Sequence, residues 1–151
     1  MVRYALIILL TAVGLTAHAQ LVQSEEYRHQ LNEKYTSGLF TSDDAWMLVP
    51  DDDPVAMGSL NVFQYLQGRI PGLQISNTAG LKPVIRYRHA QPAFFLDEVR
   101  VDEYVINSIN INDVALIKVF KPPFAGAIGN GAGGAIAVYT KDGDDNEDDE
   151  E

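Results

Sequence analysis

Apolar positions recur at two spacings along the chain, and each spacing predicts an element. In SLNVFQYLQGRIPG, Leu60, Phe63, Leu66 and Ile70 lie three, three and four residues apart, the interval of one helical face. Ser59 is placed to cap that helix, and Gly68 and Pro71 to end it. GLQISN alternates Leu73 and Ile75 with polar neighbours, and VIRYR alternates Ile85 and Tyr87 with Arg86 and Arg88; both have the period of a strand. PAFFLDEVRVDE predicts two strand runs, Ala93 to Leu96 and Val99 to Val101, joined at Asp97 and Glu98 by a hairpin or a bulge. NINDVALIKVFKPP predicts a capped helical turn and then a strand over Ile117 to Phe120, stopped by Pro122 and Pro123. AIAVYT predicts a closing strand. Helices and strands alternating at such short intervals predict an α+β fold, a small mixed β-sheet with helices packed on it.

The flanks of this patterned region are different. Residues 1–19 combine Arg3, a short apolar run from Ala5 to Leu15 and small residues at Ala17 and Ala19, the make-up of a cleaved secretory signal. The run is shorter than a membrane span needs, so no transmembrane segment is expected in the mature chain. Residues 20–54 are polar and close on PDDDP, a break; they read as an accessory segment ahead of a domain at 55–141. Residues 142–151, DGDDNEDDEE, carry eight acids and read as a disordered, solvating tail.

Charge and chemistry narrow the picture further. The chain has 151 residues, 46% of them apolar, and a formal net charge of −10. Because the tail holds most of the acid excess, the patterned region is close to balanced and lacks the basic face a nucleic-acid binder requires. The absence of cysteine removes disulfides and a thiolate nucleophile. His29 and His89, the histidines beyond the leader, have no metal-ligand spacing, and neither Gly-x-Ser-x-Gly nor Ser-x-x-Lys occurs. Asp142, Asp144 and Asn146 begin like a calcium loop, but Glu147 stands at its glycine position. No catalytic, cofactor or metal residue is assigned, and the chain is read as a non-enzyme. Arg86 and Arg88, on one predicted strand face with Phe94 and Phe95 near in sequence, are a candidate cationic and aromatic patch, with Arg100, Lys118 and Lys121 as further positive residues.

One stretch tests that conclusion. Gly129-x-Gly131-x-x-Gly134 matches the dinucleotide fingerprint by letter. That fingerprint needs a strand before its first glycine and a helix after its third, whereas KPPFAGAI precedes this one and the strand-like AIAVYT follows. Nor does Lys-Ser or Lys-Thr follow Gly134, as a Walker loop would require. The glycines are therefore expected to form a close-packed bend.

YLQGRIPGLQI, VIRYR, PAFFLDEVRV, INDVALIKVF and the glycine loop, taken in order from Ser59 to Lys141, resemble the plug domain of TonB-dependent outer-membrane receptors. The first matching block is Leu66, Gln67, Gly68, Arg69, Pro71 and Gly72. Ile85, Arg86, Asp97 and Lys118 to Phe120 follow, and then Gly133, Gly134, Tyr139, Thr140 and Lys141. Tyr87 and Glu98 stand where the family has glycine, and Phe120-Lys121-Pro122-Pro123 replaces its leucine-lysine-glycine-proline turn. A receptor continues into a large barrel, whereas ten residues follow Lys141, so transport by this chain alone is not expected. YTSGLF and SLNVFQYLQGR are also similar to a plug-like module of large exported multidomain proteins. What the resemblance implies is an exported module of the Gram-negative envelope, in the periplasm or at the outer membrane, that binds an envelope protein such as a barrel. A remnant of a receptor without its barrel and a small-ligand carrier are the alternatives, and a pocket between helix and sheet would favour the carrier.

Overall fold

The strand before the double proline and the closing strand lie side by side at the centre of the structure, and their residues are buried on both faces. A computed structural model describes residues 25–76, 83–126 and 131–141. The chain divides into two compact units, Met1–Lys34 and Tyr35–Glu151. Helix α1 spans 25–35, and on it His29 Nδ1 lies 3.7 Å from Glu33 Oε1 one turn later, both exposed.

In the second unit, strand β1 is Ala45–Leu48, helix α2 Val62–Leu66, β2 Leu73–Ser76 and β3 Val84–Tyr87. Then come β4 (Ala93–Leu96), β5 (Val99–Val101), helix α3 (Glu103–Ser108), β6 (Val114–Phe120) and β7 (Ala135–Thr140). The main sheet has the order β1-β6-β7-β4-β5, with β7 and β4 parallel and the other pairs antiparallel; β2 and β3 form a separate antiparallel ribbon. The α+β fold read from the sequence is present. The predicted strand over Ile117 to Phe120 begins earlier, at Val114, because a short 3-10 turn at Ile111–Asp113, capped by the Asn110 side chain, delivers the chain to the sheet there.

Register sorts the side chains onto two faces. On the first, Ile117 faces Val138 and Leu48, Val119 faces Ile136 and Trp46, and Phe94 faces Ile136. Helices α2 and α3 and the inner side of the ribbon cover this face, with Phe63 edge-on to Phe94 at 5.8 Å between ring centroids. Helix α2 is shorter than the apolar stripe predicted. Its cap is Asn61, whose side chain accepts from Gln64 N at 2.9 Å, and Ser59 and Leu60 lie outside it. Val62, Phe63, Tyr65 and Leu66 are all buried: a one-turn helix sunk in a core has no polar side, so the period of an amphipathic helix misplaces it. Leu60 is exposed, and Ile70 reaches the core only after Gly68 turns the chain at φ 77°.

On the second face the sheet presents small residues, Ala93, Ala135 and Ala137, around Phe95, Lys118 and Phe120. No described helix of 62–141 lies there. A strap of residues 35–44 crosses it, and Phe40 packs against Phe95, Phe120 and Phe124 at 5.0, 5.8 and 5.4 Å. Residues 35–54, which the sequence reading set apart from the domain, thus belong to the same compact unit and supply both the strap and an edge strand. The pair Leu39-Phe40 and the unbroken apolar run Ala45–Val49 follow neither the helical nor the alternating period, so no periodicity announces them.

Candidate interaction surface

Lys118 differs most from its expected place. It sits at 1% exposure in the middle of β6, and its Nζ donates to the carbonyls of Phe40 at 2.6 Å and Ser42 at 3.1 Å. A buried ammonium is costly unless its protons find acceptors, and the strap's backbone provides them. Lys118 therefore fastens the strap and is no part of a surface patch. Lys121 is exposed and pairs with Asp44, also on the strap, while Glu98 accepts hydrogen bonds from the Ser37 amide and hydroxyl.

Asp97 and Glu98 form the two-residue turn of the β4–β5 hairpin, both with positive φ, 46° and 66°. That conformation suits glycine, and two acids adopt it here because each carboxylate is engaged. Asp97 accepts from the Thr140 amide at 2.9 Å and hydroxyl at 3.0 Å, which ties the turn to the end of β7. The Tyr139 hydroxyl is buried, and burial first, then the nearby Glu98 carboxylate, raises its pKa.

A second anchor joins Asp53 to helix α2. The Asp53 carboxylate accepts from the Arg69 guanidinium, from Tyr65 Oη at 3.1 Å and from Val55 N at 3.0 Å, and the guanidinium lies 4.2 Å from the centre of the Tyr65 ring. The Arg69 hydrogen bond chiefly lowers the Asp53 pKa, and burial chiefly pushes Tyr65 up to about 12. The arrangement is closed by its own partners, a structural clasp and not a reactive site.

Of the aromatic residues expected beside Arg86 and Arg88, Phe94 points into the first core and Phe95 into the second, both buried. An alternating strand cannot present neighbours on one face, so the aromatic half of that patch is absent. The cationic half stands, rearranged. Arg86 is exposed on β3, but Arg88 lies beyond the strand in a tight turn with His89, at φ 47° and 74°, closed by Tyr87 and Ala90. Among the described residues of Tyr35–Lys141, Arg69, Lys118, Lys121 and Lys141 have side-chain partners and Arg100, exposed on β5, is engaged as well, whereas the guanidiniums of Arg86 and Arg88 have no partner. Arg86 and His89 also border a groove of about 430 Å³ that runs between β3, Gln91 and Glu103 at the start of α3.

The glycine bend is tightly packed where it is described. A Cβ on Gly133 would lie 2.2 Å from the Gln91 carbonyl oxygen, and one on Gly134, at φ 74°, 2.2 Å from that of Phe120. Strand β7, not a helix, follows, so no row of amide donors faces outward for a phosphate. Gly129 and the acidic run from Asp142 lie outside the described residues, as does the leader. Among the described residues, no group of three acids, histidines or cysteines is placed to hold a metal ion, and no helix is long and apolar enough to cross a membrane.

No family model matches the chain, and no curated protein matches it. Solved structures do. The siderophore receptor PirA of Acinetobacter baumannii matches with a TM-score of 0.52 at 20% identity, over 67% of this chain and 18% of that one. The fold is that of a receptor plug. A variant of the ferric enterobactin receptor PfeA of Pseudomonas aeruginosa matches the same plug fold at TM-score 0.51 and 19% identity, over 66% of this chain and 17% of its own. The RagAB peptide transporter matches at 0.50 and 22%, over 64% of this chain and 12% of its own. The chain thus spans less than a fifth of the receptors it matches, and at these identities the likeness is one of fold. Among the described residues the sheet is open, and no closed barrel is present.

Proposed function

We propose that this chain is an exported, non-catalytic interaction module of the Gram-negative cell envelope, whose plug fold binds a partner protein at the outer membrane. The observation that carries the reading is the unpartnered pair Arg86 and Arg88, exposed on a plug fold whose other described cations are engaged within it. Two free guanidiniums, one on the two-stranded ribbon and one in the turn that follows it, suit carboxylates of a partner, which each can grip in bidentate fashion. The plug likeness supports an envelope setting, and an outer-membrane barrel or another exported protein is the partner in view. In-cell crosslinking with mass spectrometry tests it. An Arg86→Glu, Arg88→Glu chain should lose the crosslinked species, and raising salt from about 0.05 to 0.5 M should weaken capture as the Debye length falls from about 14 to 4 Å. Recovery of the native chain only as a free monomer would sink the proposal. A second reading, a carrier of a small anionic ligand, is favoured by the groove beside Arg86 and His89, which lies between sheet and helix.

A further inference from the structure

We propose that the ledge formed by residues 55–60 is a second docking surface, for a basic amphipathic segment of a partner protein. This rests on the partner-binding reading above and adds a site to it. Val55, Met57 and Leu60 are 58%, 91% and 77% exposed, three large apolar side chains within six residues. Exposed apolar groups on a loose loop would mean little, but this backbone is held. Asp53 O accepts from Ala56 N at 2.9 Å, Val55 O from Gly58 N at 3.2 Å and Ala56 O from Ser59 N at 2.9 Å. Gln64 Oε1 takes the Leu60 amide at 2.9 Å, Ala56 is buried as a foot, and the Asp53 clasp to Arg69 and Tyr65 fixes the start of the ledge. The display is therefore preorganised, so an apolar partner loses little freedom of the ledge on binding.

The surroundings select the partner's chemistry. Beside the ledge lies a hollow of about 220 Å³ bordered by Pro50, Asp52, Pro54, Met57 and Ile111. Its apolar walls take one bulky side chain; of the three carboxylates that border it, Asp51 pairs with Lys141 and Asp53 with Arg69, and the exposed Asp52, without a partner among the described residues, leaves the rim negative. Apolar anchors with a negative rim call for leucine-like residues flanked by lysine or arginine, and the same rim repels an anionic lipid surface.

The test uses the full chain, labelled at its methionine methyls, and an amphipathic peptide of leucine and lysine. A serine–lysine peptide of equal charge and a leucine–glutamate peptide are the controls. Saturable binding of the leucine–lysine peptide should move the Met57 methyl resonance, and Met57→Ser with Leu60→Ser should weaken it by about tenfold or more. Asp52→Lys, which leaves the apolar ledge intact, should weaken it less and remove much of its salt dependence. Equal binding of the serine–lysine peptide, or an unmoved Met57 methyl, would overturn the proposal. So would concentration-dependent dimerisation abolished by the Met57 and Leu60 changes, which would assign the ledge to a second copy. If the ledge variant keeps the envelope crosslinks that the Arg86 and Arg88 variant loses, the ledge is refuted while the module reading stands.

Discussion

One face of the five-stranded sheet is covered by helices and a ribbon, the other by an irregular strap, and the two are held by different forces. On the first, large apolar side chains from α2, β6 and β7 interlock, and every pair adds apolar burial. On the second, alanines leave the sheet low, and the strap is fixed at a few points: Phe40 in its ring of phenylalanines, Lys118 on two strap carbonyls, Lys121 on Asp44 and Glu98 on Ser37. Burial spread over many contacts degrades gradually, whereas a strap tied at discrete points loses its hold when one tie is removed. The first face therefore carries the stability of the domain, and the second carries a segment that opens at lower cost.

The sharpest way to break this contrast is to empty the first face. Phe63→Ala removes a fully buried ring against Phe94 and should cost about 3–5 kcal/mol, read as a lowered urea midpoint for the whole domain. On the second face Lys118→Met keeps the stem and removes the donor. It leaves the Phe40 and Ser42 carbonyls without Nζ and should cost about 1–3 kcal/mol. Hydrogen exchange should then speed in residues 35–44 while the centres of β6 and β7 stay protected; uniform acceleration would show that the two faces are one cooperative unit. The smallest effect concerns the clasp. Because the folded-state pKa of Asp53 lies below its unfolded value of about 3.9, its contribution is present above that pH and is lost as the pH falls through the folded value. Asp53→Asn should cost less than about 1 kcal/mol at pH 7, since the pair is partly exposed, and should flatten the fall in stability below pH 4. An unchanged acid limb would remove the clasp from the account of the first face.

The first face was largely legible in the sequence and the second was not, for a physical reason. Strands such as Leu73–Ser76 and Val84–Tyr87 alternate cleanly because one side packs and the other meets water. The Asp97–Glu98 turn followed from two β-rich runs two residues apart. Lys118 was misplaced because a charge inside an apolar run reads as solvent-facing, and the carbonyls that satisfy it lie 78 and 76 residues away in sequence. Phe40 stands beside Leu39 in an otherwise polar stretch, and only the tertiary gap above the alanines gives it a role. The candidate surface was half legible: Arg86 and Arg88 were visible as charges, but their lack of partners is a property of the folded unit alone. The ledge left a weak trace in Val55, Met57 and Leu60, which the apolar stripe drew partly into a helix.

Strand β7 comes last in the sheet's sequence order yet lies between β6 and β4. Until it is in place, β1 with β6 and β4 with β5 are two separate pairs with no backbone bond between them. Its parallel partner β4 lies about forty residues earlier, and β1, the strand that edges β6, lies about seventy residues before its own partner, so loop-closure entropy is spent before the central pairing returns anything. The consequence is a folding reaction gated by its final step. A chain emerging from a pore can hold hairpins and single helices, but the sheet closes only when Ala135 to Thr140 arrives, and folding is expected to be slow for a domain of this size and to proceed as one late event.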